Sequence, residues 1–277
     1  MVPLSPPARR RPTAGPAHRD YEMTPRRITR AGLLAALLLP GLAAAAGLND
    51  TGITQCADAT QNNPFCPQPS FPSQDADAGR DAQTGLTKVG GGSAGFDFTK
   101  LDSTGAPLDP GAATWDCVRD NVTGLIWEVK TDDGGLRDKD WTYTWCNNTG
   151  GANGGSAGVC DTDSGVGSDD CANNARCDTE KFVTDVNALN PKLCGYAGWR
   201  MPTVEELHGI ADYSGVSPAI DAIYFPRTSI WWYWSASPYA SNANFAWGVF
   251  FGGNDPSLSL PAQKSGNQFV RLVRDRQ

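Results

Sequence analysis

The chain is poor in the side chains on which most site chemistry depends. It has two histidines and three methionines, and none of its cysteines falls in a Cys-x-x-Cys pair. A zinc centre therefore has no Cys and His ligands at usable spacing. His208 is the one histidine beyond the first 46 residues, so acid–base work near neutral pH would rest on a single imidazole. No strand-to-helix nucleophile elbow accompanies it, which favours a hydrogen-bonded or surface histidine over a catalytic one. No apolar run is long enough to span a bilayer. Positive charge is also short, with 23 basic residues against 30 acidic ones.

What is present begins with a leader. Arg26-Arg27-Ile28-Thr29-Arg30 precedes the apolar run 31–39, followed by Pro40-Gly41 and the alanines 43–46. A basic start, a short apolar core and small residues at the end form the pattern of an export signal. Residues 1–46 are accordingly read as a signal peptide, with Met23 as an alternative start. Its removal takes seven of the 23 basic and two of the 30 acidic residues, leaving 16 against 28 and a net charge near −12. That acidity speaks against nucleic acid and anionic membranes as partners. It suits a divalent cation, a neutral glycan or an extracellular protein. The expected location is the periplasm, the cell surface or the medium, with no membrane span in the mature chain.

All eight cysteines (Cys56, Cys66, Cys117, Cys146, Cys160, Cys171, Cys177 and Cys194) follow the leader. An even count in an exported chain reads as disulfides. Cys56 with Cys66 would close a small local loop, and the other six leave several connectivities open.

Residues 47–112 are rich in Gly, Pro and Asp and read as an N-terminal extension. Within it, 96–101 with a turn at 102–105 has the pattern of a hairpin. Strand patterns begin at Trp115. From Val122 to Lys130 the residues alternate, Leu125, Trp127 and Val129 facing one way and Ile126, Glu128 and Lys130 the other. A polar, Gly-rich loop covers 147–170. Asp178 is a natural N-cap for a helix striped with Phe182, Val183, Val186 and Leu189, ending before Pro191. Thr203-Val204-Glu205-Glu206 has capping-box spacing, and Leu207, Ile210 and Ala211 continue an apolar face. Segments 230–235, 244–251 and 268–274 are strand-like.

Several of these stretches together resemble one family. Cys194-Gly195-Tyr196-Ala197-Gly198-Trp199-Arg200-Met201-Pro202-Thr203-Val204-Glu205-Glu206-Leu207 is similar to the Trp-Arg-Leu-Pro-Thr-x-x-Glu-Leu signature of the Lcl C-terminal-domain family. Asp120–Trp127, Tyr233-Trp234-Ser235-Ala236-Ser237 and Phe269–Arg274 extend the match in the expected order. Met201 replaces the usual Leu, a volume-conserving exchange. The resemblance implies an α+β, C-type lectin-like fold over 113–277: short antiparallel strands with two helices and long loops, stapled by disulfides. It further implies that the first and last strands pair. The expected function is an exported, non-catalytic binding module for a glycan or a matrix or surface component, as in an adhesin. A structural or envelope-assembly module is the alternative, and an enzyme related to formylglycine-generating proteins is the second.

Candidate residues follow. In Trp231-Trp232-Tyr233-Trp234 one face should be core, and Trp231 with Tyr233 are the pair expected to meet a ligand if either is exposed. Asn254-Asp255 resembles the Asn-Asp pair of sugar-binding C-type lectins. Asp161, Asp163 and Asp169 are candidate oxygen ligands for calcium, the one cofactor to which the sequence points. Trp127, Trp199, Arg200, Thr203, Glu206 and Trp234 are read as structural.

Overall fold

Residues 49–63, 65–149, 151–160, 171, 176–252 and 259–275 are described by a computed structural model, and all lie in the unit 45–277. A two-residue ribbon, β1 (Cys56–Ala57) and β2 (Asn62–Asn63), is followed by a single helical turn, α1 (Asp75–Ala78). Then come β3 (Phe98–Leu101), β4 (Cys117–Asp120), β5 (Ile126–Glu128), the helices α2 (Thr179–Ala188) and α3 (Val204–His208), and β6 (Trp232–Pro238). The chain closes with β7 (Phe245–Phe250), β8 (Ser259–Gln263) and β9 (Val273–Arg274).

One antiparallel sheet runs β3-β4-β5-β9. It is covered on both faces, which explains why its short strands are buried nearly throughout. Leu101, Cys117 and Ile126 face a core with Tyr143, Trp145, Phe182, Val186 and Trp199. Phe98, Val118, Trp127 and Val273 face a second core with Leu207, Ile210, Phe225, Tyr233 and Val249. Register agrees with this division, since Val118 lies opposite Trp127 and Trp127 opposite Val273. The first and last family segments therefore pair, through β5 and β9. The side of β5 carrying Glu128 is also enclosed. Glu128 accepts from the Lys130 ammonium at 3.2 Å and the Leu272 N–H at 2.9 Å, while Arg271 donates to the Glu128 carbonyl at 2.7 Å.

Residues 98–101 belong to the extension by sequence, yet β3 pairs with β4 along its whole length. The expected turn also forms. Asp102 accepts from the Thr104 and Ala106 N–H groups, and the chain returns to bridge Leu101 with Pro107. Nearer the N-terminus of the described residues, Asn49 donates to Asp120 at 2.7 Å and the Thr51 carbonyl accepts from Tyr213 N–H at 2.7 Å.

The second sheet runs β6-β7-β8, antiparallel. Two backbone bonds tie it to the segment before β9, Phe269 N–H to the Trp232 carbonyl and Trp234 N–H to the Phe269 carbonyl. Asp178 caps α2 by accepting from Lys181 N–H at 2.9 Å, as its sequence position implies. Disulfides join Cys56–Cys66, Cys117–Cys194, Cys146–Cys160 and Cys171–Cys177. The fold is thus α+β and disulfide-stapled. Among the described residues no helix is long and apolar enough to cross a membrane.

Candidate functional site

The signature stretch is a structural hub. Arg200 exchanges two backbone hydrogen bonds with Val273, so this segment extends the first sheet beyond β9. Trp199 is 2% exposed and sits in the first core. Asn187 at the end of α2 clamps it, accepting from the Gly198 and Trp199 N–H groups and donating to the Trp199 carbonyl. Thr203 and Glu206 form the capping box, Thr203 accepting from Glu206 N–H at 3.2 Å and Glu206 accepting from Thr203 N–H at 2.8 Å. The same Glu206 carboxylate holds Arg200 in a fork, both contacts at 2.7 Å, and Asp275 adds a third. Glu206 first, and Asp275 after it, push the guanidinium pKa upward, so Arg200 is a committed cation.

The aromatic run behaves differently from its sequence expectation. Tyr233 is 1% exposed and packs in the second core against Phe251 and Phe269, its hydroxyl accepting from Ser229 N–H at 2.9 Å. Burial raises its phenol pKa. Trp234 lies in the first core and donates to the Tyr143 carbonyl at 2.8 Å. Consecutive rings thus enter opposite cores, and the exposed pair Trp231 and Tyr233 does not form. Trp231 alone of that pair is open, at 54% exposure.

Its partners on the surface are ones that the sequence did not single out. Trp232 stands opposite Phe250 across the β6–β7 pair, ring centroids 5.1 Å apart, and Phe250 meets Trp231 edge-on at 6.3 Å. Ile230 and Leu260 are exposed beside them in sequence and register. Strand periodicity placed Trp232 with Trp234 on one face. It could not reveal that Tyr143 and Trp145 cover Trp234 while leaving Trp232 partly open.

Asp161, Asp163 and Asp169, and the Asn254-Asp255 pair, lie outside the described residues. Among those described, Asp50, Asp75 and Asp81, and separately Asp132, Asp138 and Asp140, bring carboxylate oxygens within 4.8 Å of one another. In the first group burial, then Asp50 and Asp75, raise the Asp81 pKa. In the second, Asp138 already accepts from three backbone N–H groups, of Asp133, Gly134 and Asp140.

His208 bridges Tyr213 at 2.8 Å through Nδ1 and Ser259 at 3.0 Å through Nε2. Burial lowers its pKa, with Glu205 opposing, so the ring is neutral at pH 7. Ser235, by contrast, donates to the Trp247 carbonyl at 2.8 Å. The sequence does contain two Gly-x-Ser-x-Gly strings, at 91–95 and 154–158, but both lie in loops and neither runs into a helix, so neither forms a nucleophile elbow. All eight cysteines are bridged.

The model of the Lcl C-terminal domain family matches residues 116–274, more than half of the chain. No curated protein and no solved structure matches it.

Proposed function

The chain belongs to the Lcl C-terminal domain family, and from that premise we propose that it is an exported, non-catalytic recognition module that binds a glycan through Trp231, Trp232 and Phe250. The observation that carries this reading is the open aromatic face. Trp232 and Phe250 on paired strands, with Trp231 just before β6 and 54% exposed, offer flat apolar surface at little entropic cost. The C–H faces of a sugar ring fit such a surface. The acidity of the mature chain favours a neutral glycan over a polyanion.

Catalysis finds little support. The neutral His208 is held by two hydroxyls and, among the described residues, by no carboxylate, and the cysteines are committed to disulfides. Pairing of β5 with β9 supports a variation on the C-type lectin-like fold, and the four disulfides suit an oxidising compartment outside the cytoplasm.

A glycan array, run with and without calcium on the parent, Trp231→Ala and Trp232→Ala, tests the proposal. The expected outcome is binding of neutral glycans that both variants lose while melting like the parent. Absence of any glycan signal, or signal unchanged by both substitutions, would overturn it.

A further inference from the structure

A separate cavity lies beside the family signature. It has a volume of about 290 Å³ and is walled by Trp145, Val183, Met201 and Ala236, with Glu180 and Arg200 among its polar residues. At the lower end of ligand-pocket sizes, it suits one side chain better than a whole small molecule. Two of its walls, Arg200 and Met201, come from the signature itself.

Its electrostatics are lopsided. The Arg200 charge is taken up by Glu206 and Asp275. Glu180 has no such compensation: among the described residues no cation lies within ion-pair distance of it. Neutral donors hold it in place. One oxygen accepts from Asn148 N–H at 3.1 Å, and the other accepts from Thr149 N–H at 2.9 Å and from the Thr149 hydroxyl. The nearby Cys146 sulfur, 3.2 Å away, is in a disulfide and has no proton to give.

From this arrangement the geometry points to a docking site for a lysine side chain of a partner protein, its methylenes against Val183, Met201 and Trp145 and its ammonium on Glu180. A carboxylate has about four acceptor positions, and three here are filled, so one further donor fits. That favours the point charge of an ammonium over the two-pronged guanidinium of arginine. An aliphatic stem ending in a cation matches an apolar wall with a carboxylate beside it. This site shares no residue with the aromatic face.

The test is an NMR titration of the purified chain with Nα-acetyl-lysine methylamide, its norleucine isostere and its arginine counterpart. Saturable shifts at residues 147–149, 179–183 and 201 are expected with the lysine probe. Norleucine should bind about five-fold more weakly, and Glu180→Gln should weaken lysine by a similar factor, as for a partly exposed ion pair. Val183→Phe should fill the cavity and abolish binding, which keeps the test decisive if the Glu180 variant is poorly folded. Equal affinity for lysine and norleucine, tighter binding of arginine, or lysine binding that survives Val183→Phe would overturn the inference. Trp231→Ala should leave this titration unchanged, so its outcome is distinct from that of the glycan array.

Discussion

Trp199 and Thr203 belong to one signature, yet they hold different things in place. The Trp199 ring is enclosed in the first core, and its removal would leave a cavity under the junction of α2 and β9. Trp199→Ala should therefore cost about 3–5 kcal/mol. Thr203 supplies one acceptor to the first turn of α3, and Thr203→Ala should cost about 1 kcal/mol. Chemical denaturation of the parent and both variants checks the order. An unchanged midpoint for Trp199→Ala would mean that the ring does not pack as described. The same scale shows what local reading can and cannot supply. The capping box was legible because its four residues are contiguous and its geometry is local. The fate of Tyr233 was not, since alternation assigns faces to a strand but does not say which neighbours cover them.

Among the elements, α2 was legible from its apolar stripe and cap and β5 from its alternation, signals contained within each stretch, whereas the pairing of β5 with β9 followed from the family resemblance and β8 (Ser259–Gln263) was not foreseen. The role of β3 was not legible either. Its residues read as a local hairpin, while the pairing that buries Phe98 and Leu101 comes from β4, across a turn and a polar segment that carry no register information. His208 makes a further link between elements, joining the end of α3 to the first residue of β8 through Ser259. This link gives the fold a pH dependence whose sign follows from burial. The folded-state pKa lies below the ordinary 6.5, because burial disfavours the imidazolium. The unfolded chain thus takes up a proton more readily than the folded one. The stability tied to a neutral His208 is complete above pH 6.5 and is lost as the pH falls from there through the lower folded value. Melting temperatures of the parent should decline across that interval more steeply than those of His208→Gln. Parallel curves would show that carboxylates alone set the acid dependence.

For the whole molecule, the decisive constraint is one that composition announced and spacing left open. Eight cysteines implied four bridges, but only the folded chain selects Cys117 with Cys194 from the possibilities. That bridge joins β4 to the start of the signature, across a sequence separation of 77, whereas Cys171–Cys177 spans 6. On the chain-entropy account, closing the longer loop restrains the unfolded state by about 4.5 kcal/mol and the shorter by about 2 kcal/mol. The longer bridge is also fully enclosed, with Cys117 at 0% and Cys194 at 1% exposure. Replacing both of its cysteines would leave two small polar groups among Leu101, Ile126 and Leu193 if serine were used, so alanine is the cleaner probe. The double variant Cys117→Ala/Cys194→Ala should lose more stability than Cys171→Ala/Cys177→Ala, by about 2 kcal/mol or more. Denaturation midpoints under oxidising conditions measure this, with non-reducing mass mapping to verify that the remaining bridges are native. Equal losses would mean that residual structure in the unfolded chain already restrains residues 117–194. In that case the four-stranded sheet, more than the covalent closure, would be what keeps the signature stretch against β9 and the aromatic face in register with it.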